Sequence, residues 1–235
     1  MSDPAHRPRV AVVTFPGSLD DGDMRLALAV LGAEAVAVWH ADVELPPATA
    51  AVVLPGGFSY GDYLRCGAIA SHAAIMDEVR AFAADGGPVL GVCNGFQILC
   101  EARLLPGALR MNRQQEYVCR DVTLVVERDG SPFGAELRAG DRLSMPVKHG
   151  EGNWFVDEAY LSELEQSGRI VLRYADDVNG SLARVAGVSN AAGNVVGMMP
   201  HPEHAVDPLL GPVGGVPVLA GLIAAARDRR ASAVR

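Results

Sequence analysis

The chain lacks the marks of several broad protein classes. Its 235 residues include four cysteines, Cys66, Cys93, Cys100 and Cys119, widely spaced and with no C-x-x-C pair. Neither a disulfide framework nor a zinc ribbon is encoded, and reduced thiols are the default. His201 and His204 form an H-x-x-H pair, but Pro202 between them forbids the helix that would align both rings, so no metal is expected. No glycine run leads into the G-K-[ST] of a phosphate-binding loop. No apolar run is long and charge-free enough to span a bilayer, and the polar residues 1–9 lack the apolar core of a signal peptide, which predicts a cytoplasmic protein. Net positive charge is missing too. A formal charge of −8 offers nothing to nucleic acid or an anionic membrane, and the tail with Arg227, Arg229, Arg230 and Arg235 reads as a solvated end.

What is present is a series of apolar runs. With 49% of residues hydrophobic, the chain has enough to fill one large α/β domain over 1–235. Residues 10–15, 35–39, 50–54 and 89–92 read as buried strands. Between them, Met24, Leu28 and Leu31, and then Ile75, Val79, Phe82 and Ala83, recur at helical spacing. Strand and helix in alternation predict a parallel sheet with helices on both faces, a flavodoxin-like three-layer fold whose active edge lies beyond the strand C-termini. After Ala102 the runs 122–126, 143–147, 170–174, 185–188 and 195–199 are strand-like with turn-rich connections, which predicts a mixed or antiparallel extension. A last helix presents Val218, Leu219, Leu222, Ile223 and Ala226 on one face.

The sharpest local signal is G-V-C-N-G-F-Q (91–97), read as the end of a strand, a tight turn and the start of a helix. Cys93 stands at the apex, with Gly91 and Gly95 expected to keep side chains clear of the thiol. A helix N-terminus favours the thiolate and aims N–H groups at whatever the sulfur attacks. The candidate base is His201, at the end of a second strand, with Glu203 to orient it; prolines 200 and 202 are expected to hold this stretch extended. Gly56-Gly57 also follows a strand, so the N–H groups of Gly57 and Asn94 are the expected pair of oxyanion donors. Gly56 and His149, the latter in K-H-G-E-G (148–152), are candidate substrate contacts. Alone, Cys93 would be a small buried hydrophobe and His201 a structural histidine. Together, three strand ends delivering nucleophile, base and oxyanion donors favour catalysis.

These motifs resemble the class I, triad-type glutamine amidotransferases. Three longer runs, G-G-F-S-Y-G-D-Y-L-R-C-G (56–67), H-G-E-G-N (149–153) and M-M-P-H-P-E (198–203), are similar to the glutaminase-subunit family of phosphoribosylformylglycinamidine synthase. The resemblance implies Cys93 as nucleophile, His201 as base, Glu203 as its partner and Gln97 as a substrate-pocket residue. It also implies glutamine as substrate and ammonia passed to a synthetase subunit, which acts with a small accessory subunit and uses ATP and Mg2+ to make formylglycinamidine ribonucleotide in purine biosynthesis. No cofactor is expected in this chain. Three places depart from the family's usual pattern: Leu19-Asp20-Asp21 stands where Asn-Cys-Asp is common, Lys148 where Ala is common, and His204 where Arg is common. Service to another acceptor, a non-catalytic glutamine-sensing subunit, and a stress-type hydrolase with an elbow cysteine are the alternatives, which glutamine turnover and thioester trapping separate.

Overall fold

The computed structural model describes residues 7–130, 133–134 and 136–233. The expectations for the amino terminus and for Arg235 therefore fall partly or wholly outside the described residues.

In chain order the strands are β1 (Arg9–Thr14), β2 (Glu34–Trp39), β3 (Thr49–Leu54), β4 (Val89–Val92), β5 (Ala108–Arg110), β6 (Val118–Val126), β7 (Arg142–His149), β8 (Asn153–Phe155), β9 (Ile170–Tyr174), β10 (Val185–Ser189) and β11 (Val195–Met198). The helices are α1 (Asp21–Val30), α2 (Ile75–Ala84), α3 (Asn94–Glu101), α4 (Glu158–Gln166) and α5 (Gly215–Ala233). The unbroken apolar runs became the strands buried on both faces: Val10, Val12, Val52, Val53, Leu90 and Val92 are fully inaccessible. Helical spacing worked equally well, since α1 buries Met24, Ala27 and Leu28, and α2 buries Ile75, Met76, Val79 and Ala83. Gly32 and Gly86 end these helices with φ +95° and +75°, a conformation that costs glycine little.

Nine strands form one sheet in the order β2-β1-β3-β4-β11-β10-β9-β6-β7. Pairing is parallel from β2 through β4 to β11 and antiparallel from β11 to β7, so the expected parallel core and antiparallel extension are one continuous sheet. The β1–α1–β2 unit leads one way along the sheet and β3–α2–β4 the other. Right-handed crossovers then place α1 and α2 on opposite faces, and the order reverses between β1 and β3. The loops that leave these two strands flank the crevice where such sheets bind ligands.

Two features were not legible as apolar periodicity. The β5–β8 ribbon is a separate antiparallel pair. Helix α4 buries only Leu164 and so shows no apolar stripe, but Asp157 caps it by accepting from the Tyr160 N–H at 2.8 Å. That aspartate before an acidic first turn was the available signal.

Candidate active site

Cys93 joins β4 to α3 with φ +50° and ψ −106°, a strained conformation for a residue with a side chain. Such backbone costs on the order of 1–3 kcal/mol and persists only where its surroundings hold it. Here the Cys93 N–H donates to Met198 O on β11 at 2.8 Å, and Cys93 O accepts from the Phe96 and Gln97 N–H groups at 3.0 and 3.1 Å. The flanking glycines do a different job from the one expected of them. A Cβ on Gly91 would lie 2.5 Å from Leu99 Cδ1, and one on Gly95 would lie 1.9 Å from Leu54 O. They let α3 sit tightly on β4 and β3; clearance around the thiol is not their role. Asn94 begins the helix, so its N–H is one of the donors that no helical carbonyl can satisfy.

The second expected donor lies beyond β3. An isolated antiparallel bridge pairs Ser18 with Gly57, and its hydrogen bonds run from Phe58 N–H to Gly17 O (2.9 Å) and from Leu19 N–H to Gly56 O (3.2 Å). This pattern leaves the Gly57 N–H outside the ladder. Gly57 has φ +145°, and a Cβ there would come within 2.7 Å of Gly17 O, Leu19 N and Ser18 Cα. Gly57→Pro, the obvious way to delete this donor from sequence alone, would therefore break the loop and is not a clean test. The loop is tied to α3 through Asn94, whose Oδ1 accepts from Ser59 N–H (3.1 Å) and whose Nδ2 donates to Asp62 Oδ1 (3.3 Å) and Gln97 Oε1 (2.9 Å). Gln97 Nε2 in turn donates to Glu151 O at 2.7 Å. The Gln97 amide thus joins Asn94 at the start of α3 to the loop after β7.

His201 is fully buried, and its Nδ1 lies 2.6 Å from Glu203 Oε1. The route differs from the extended chain expected. His201 is extended, but Pro202–His204 is a single 3-10 turn that swings Glu203 back to the ring. Strand β7, outermost in the far half of the sheet, curls back here: Pro146 O accepts from His201 N–H at 2.9 Å, and Lys148 O lies 3.7 Å from Cys93 Sγ. Nε2 of His201 has no hydrogen-bond partner among the described residues. Burial alone would push the ring's pKa down, but the charges of Glu203 and Cys93 and the Glu203 hydrogen bond outweigh it and raise it to about 10.

The three departures in sequence converge on one carboxylate. Asp20, only 3% exposed, takes the Lys148 ammonium and His204 Nε2 (3.2 Å) on Oδ1, while its Oδ2 lies 3.6 Å from His201 Nδ1. Pro202 does not keep the two histidines apart, because the turn brings their ring centroids to 5.5 Å. The ligand-type atoms of Asp20, His201, Glu203 and His204 all lie within 4.8 Å of one another. With Lys148 bound to the same aspartate, the cluster carries its own cation. Gly56, expected near substrate, packs beneath this group: a Cβ would lie 2.3 Å from Asp20 Oδ2 and 2.7 Å from His201 Cε1.

Over Cys93 opens a cavity of about 160 Å3, whose lining includes Gly57, Asp62, Gln97, Tyr117, His149 and Glu151. It is smaller than the roughly 300–1,000 Å3 of drug-sized sites and suits one small polar molecule. His149 is held by Asn112, whose Oδ1 accepts from Nδ1 at 3.0 Å, and its buried Nε2 is unpartnered among the described residues. Asn112 carried no sequence signal, because a buried asparagine shows itself only through the groups it satisfies. Cys66 also lines the cavity, but burial and the Asp62 charge push its thiol far up; burial does the same for Cys100.

Burial, and then the charge of His201, lower the His149 pKa from 6.5 to about 4. A histidine kept neutral by folding contributes stability that is complete above pH 6.5 and lost as pH falls through about 4. The shift corresponds to roughly 3 kcal/mol. Denaturant unfolding across this window should show stability falling on acidification, and His149→Gln should flatten that limb; an unchanged limb would place its cause elsewhere.

Residues 7–213 match the family model described as a CobB/CobQ-like glutamine amidotransferase domain. Among curated proteins, the chain is 55% identical over 219 residues to the phosphoribosylformylglycinamidine synthase subunit PurQ of Rubrobacter xylanophilus, covering 93% of this chain and 99% of that protein. It is also 55% identical over 204 residues to the protein of that name from Mycobacterium bovis, covering 87% and 91%. Among solved structures, the one described as PurLQS from Thermotoga maritima aligns with a TM-score of 0.85 at 42% identity, over 93% of this chain and 98% of that one. The elbow, the buried His–Glu pair and the small cavity thus belong to a chain that is a member of the glutamine amidotransferase family, among the PurQ subunits of phosphoribosylformylglycinamidine synthase.

Proposed function

We propose that this chain hydrolyses glutamine to glutamate and supplies the ammonia to a synthetase subunit of phosphoribosylformylglycinamidine synthase. The observation that carries this reading is the 2.6 Å His201–Glu203 pair beside a strained Cys93 at the foot of a small cavity. In the proposed reaction, His201 with its raised pKa already holds the thiol proton, and the Cys93 thiolate attacks the side-chain amide carbon of glutamine. Charge develops on the amide oxygen, where the N–H groups of Gly57 and Asn94 receive it; one such donor is worth about 10² to 10³ in turnover. His201 returns its proton to the departing nitrogen, ammonia leaves, and a glutamyl thioester remains on Cys93. The same imidazole then draws a proton from water, whose oxygen attacks the thioester and releases glutamate and the thiol. Glu203 keeps the Nδ1–H in place, so that Nε2 is the atom that exchanges protons throughout.

Glutamine fits the cavity by size and by chemistry. Asp62 and Glu151 offer negative charge to an α-ammonium, and Tyr117, His149 and Gln97 offer hydrogen bonds. The acceptor reaction, with its ATP and Mg2+, belongs in this reading to the synthetase, which works with a small accessory subunit. The PurLQS designation of the aligned structure fits such an assembly.

The loop after β3 is the proposed point of control. Tyr60, Asp62 and Leu64 all have positive φ, and Tyr63 and Leu64 are 74% and 87% exposed. Strained backbone beside the oxyanion glycine, with apolar side chains facing outward, suits a segment that a partner presses into its working position. Glutamate release should therefore be slow for the chain alone and rise when synthetase, accessory subunit, acceptor nucleotide and ATP are added. Equal turnover in both conditions would remove the control, and no turnover in either would remove the proposed activity.

A further inference from the structure

Asp20 occupies the residue before α1, where an aspartate ordinarily accepts a hydrogen bond from the first turn of the helix. It makes no such bond. Its carboxylate is instead turned inward and buried, with Oδ2 3.6 Å from the same Nδ1 of His201 that Glu203 holds at 2.6 Å. Oδ1 is gripped by His204 Nε2 at 3.2 Å and by the Lys148 ammonium. Lys148 is the only lysine in a chain with 20 lysines and arginines. The backbone oxygen of that lysine lies 3.7 Å from Cys93 Sγ, and the backbone N–H of Asp20 donates to Gly56 O at 3.3 Å. One residue thus touches the base, the strand end behind the nucleophile and the loop that carries the oxyanion glycine.

We infer that Asp20 is a positioning residue for His201, a second carboxylate that shares the Nδ1 edge with Glu203 and is held in place by Lys148 and His204. The inference deepens the proposed glutaminase reading, since it rests on His201 being the base.

The charges facing His201 from each packed element show what Asp20 contributes. The elbow supplies Cys93, the 3-10 turn supplies Glu203, the start of α1 supplies Asp20 and the end of β7 supplies His149, while Lys148 and His204 reach Asp20 and Asp23 reaches His204. Helix α5 meets the turn through Gly215 against Pro202 and adds no charge there. Two buried carboxylates against one ammonium leave the group short of a positive charge while His201 and His204 are neutral. Protonation of His201 restores the balance. Asp20 itself is held ionised: burial opposes this, but His204, His201 and Lys148 together keep its carboxyl well below the usual carboxylate range. Asp20 therefore favours the imidazolium that must keep the thiol proton until ammonia departs, and it blocks rotation of the ring away from Cys93.

The test is an NMR pH titration of the histidine Cε1 protons in the full chain. Variants are Asp20→Asn, Glu203→Gln, and the double Asp20→Asn/Lys148→Met, which removes both partners of the pair and guards against misfolding from an unpaired charge. Loss of a carboxylate this close should lower the His201 midpoint by about one pH unit or more in Asp20→Asn, and by less in the double variant, where the opposing Lys148 charge is lost as well. In the assembled enzyme, the alkaline limb of kcat/KM for glutamine should move down with it. A His201 midpoint unchanged in both folded variants would overturn the inference. A midpoint that moves while native enzyme releases no glutamate would uphold the electrostatic role of Asp20 and overturn the glutaminase reading instead.

Discussion

Cys93→Ser is expected to lower glutamine-dependent turnover of the assembled enzyme by roughly 10⁴-fold or more, the scale on which loss of a nucleophile acts in triad enzymes. Activity with added ammonium salt should persist. The reason for the split is chemical: in the proposed reaction the thiol is needed only to release nitrogen from the amide, and the acceptor step sits on the partner. Serine at this position keeps the elbow backbone but offers an alcohol that gives up its proton far less readily. Burial pushes the thiols of Cys66 and Cys100 up, and Cys119, exposed on β6, does not line the cavity. None of these should take over. A glutamine-analogue alkylating agent should label Cys93 alone, and peptide mapping that found the label on Cys66, which shares the cavity, would reassign the nucleophile.

His201→Ala should reduce glutamine turnover by about 10² to 10⁴-fold, the usual contribution of a positioned general base. Glu203→Gln should lose less, because the ring remains and only the charge that fixes its tautomer is gone. The contrast carries information that a single variant does not. The alanine variant empties a fully buried position and also leaves Glu203 and Asp20 facing each other with one cation fewer, so its stability should fall alongside its activity. Glu203→Gln keeps the volume and removes one of the two carboxylates. Near-normal turnover in a folded His201→Ala protein would transfer the role of base to His149, whose unpartnered Nε2 belongs to the same cavity.

Much of this could be read in one dimension. Uninterrupted β-branched runs marked β1, β3 and β4 because a strand buried on both faces has no reason to alternate. The elbow was legible because a candidate nucleophile, its following N–H groups and the glycines that permit close packing are all sequence neighbours. The purpose of those glycines was not legible. Gly95 is small because α3 lies against Leu54, about 40 residues earlier in the chain, and Gly91 because Leu99 of α3 lies against β4. The Glu203 pairing was foreseen for the wrong local reason, since a 3-10 turn starting at Pro202 achieves what extended alternation was expected to do.

By itself the sequence determined the fold class, the family, and which cysteine and histidine lie at strand ends, because each of these is written in local patterns of apolar and glycine residues. Tertiary structure alone decided what surrounds the histidine. Asp20, Lys148 and His204 are separated by as many as 184 residues, yet meet at one carboxylate. They meet because β1 and β11 lie in the parallel half of a sheet whose far strand, β7, curls back over the same edge. A charge network of this kind has no sequence period, since its spacing is set by the order of strands in space.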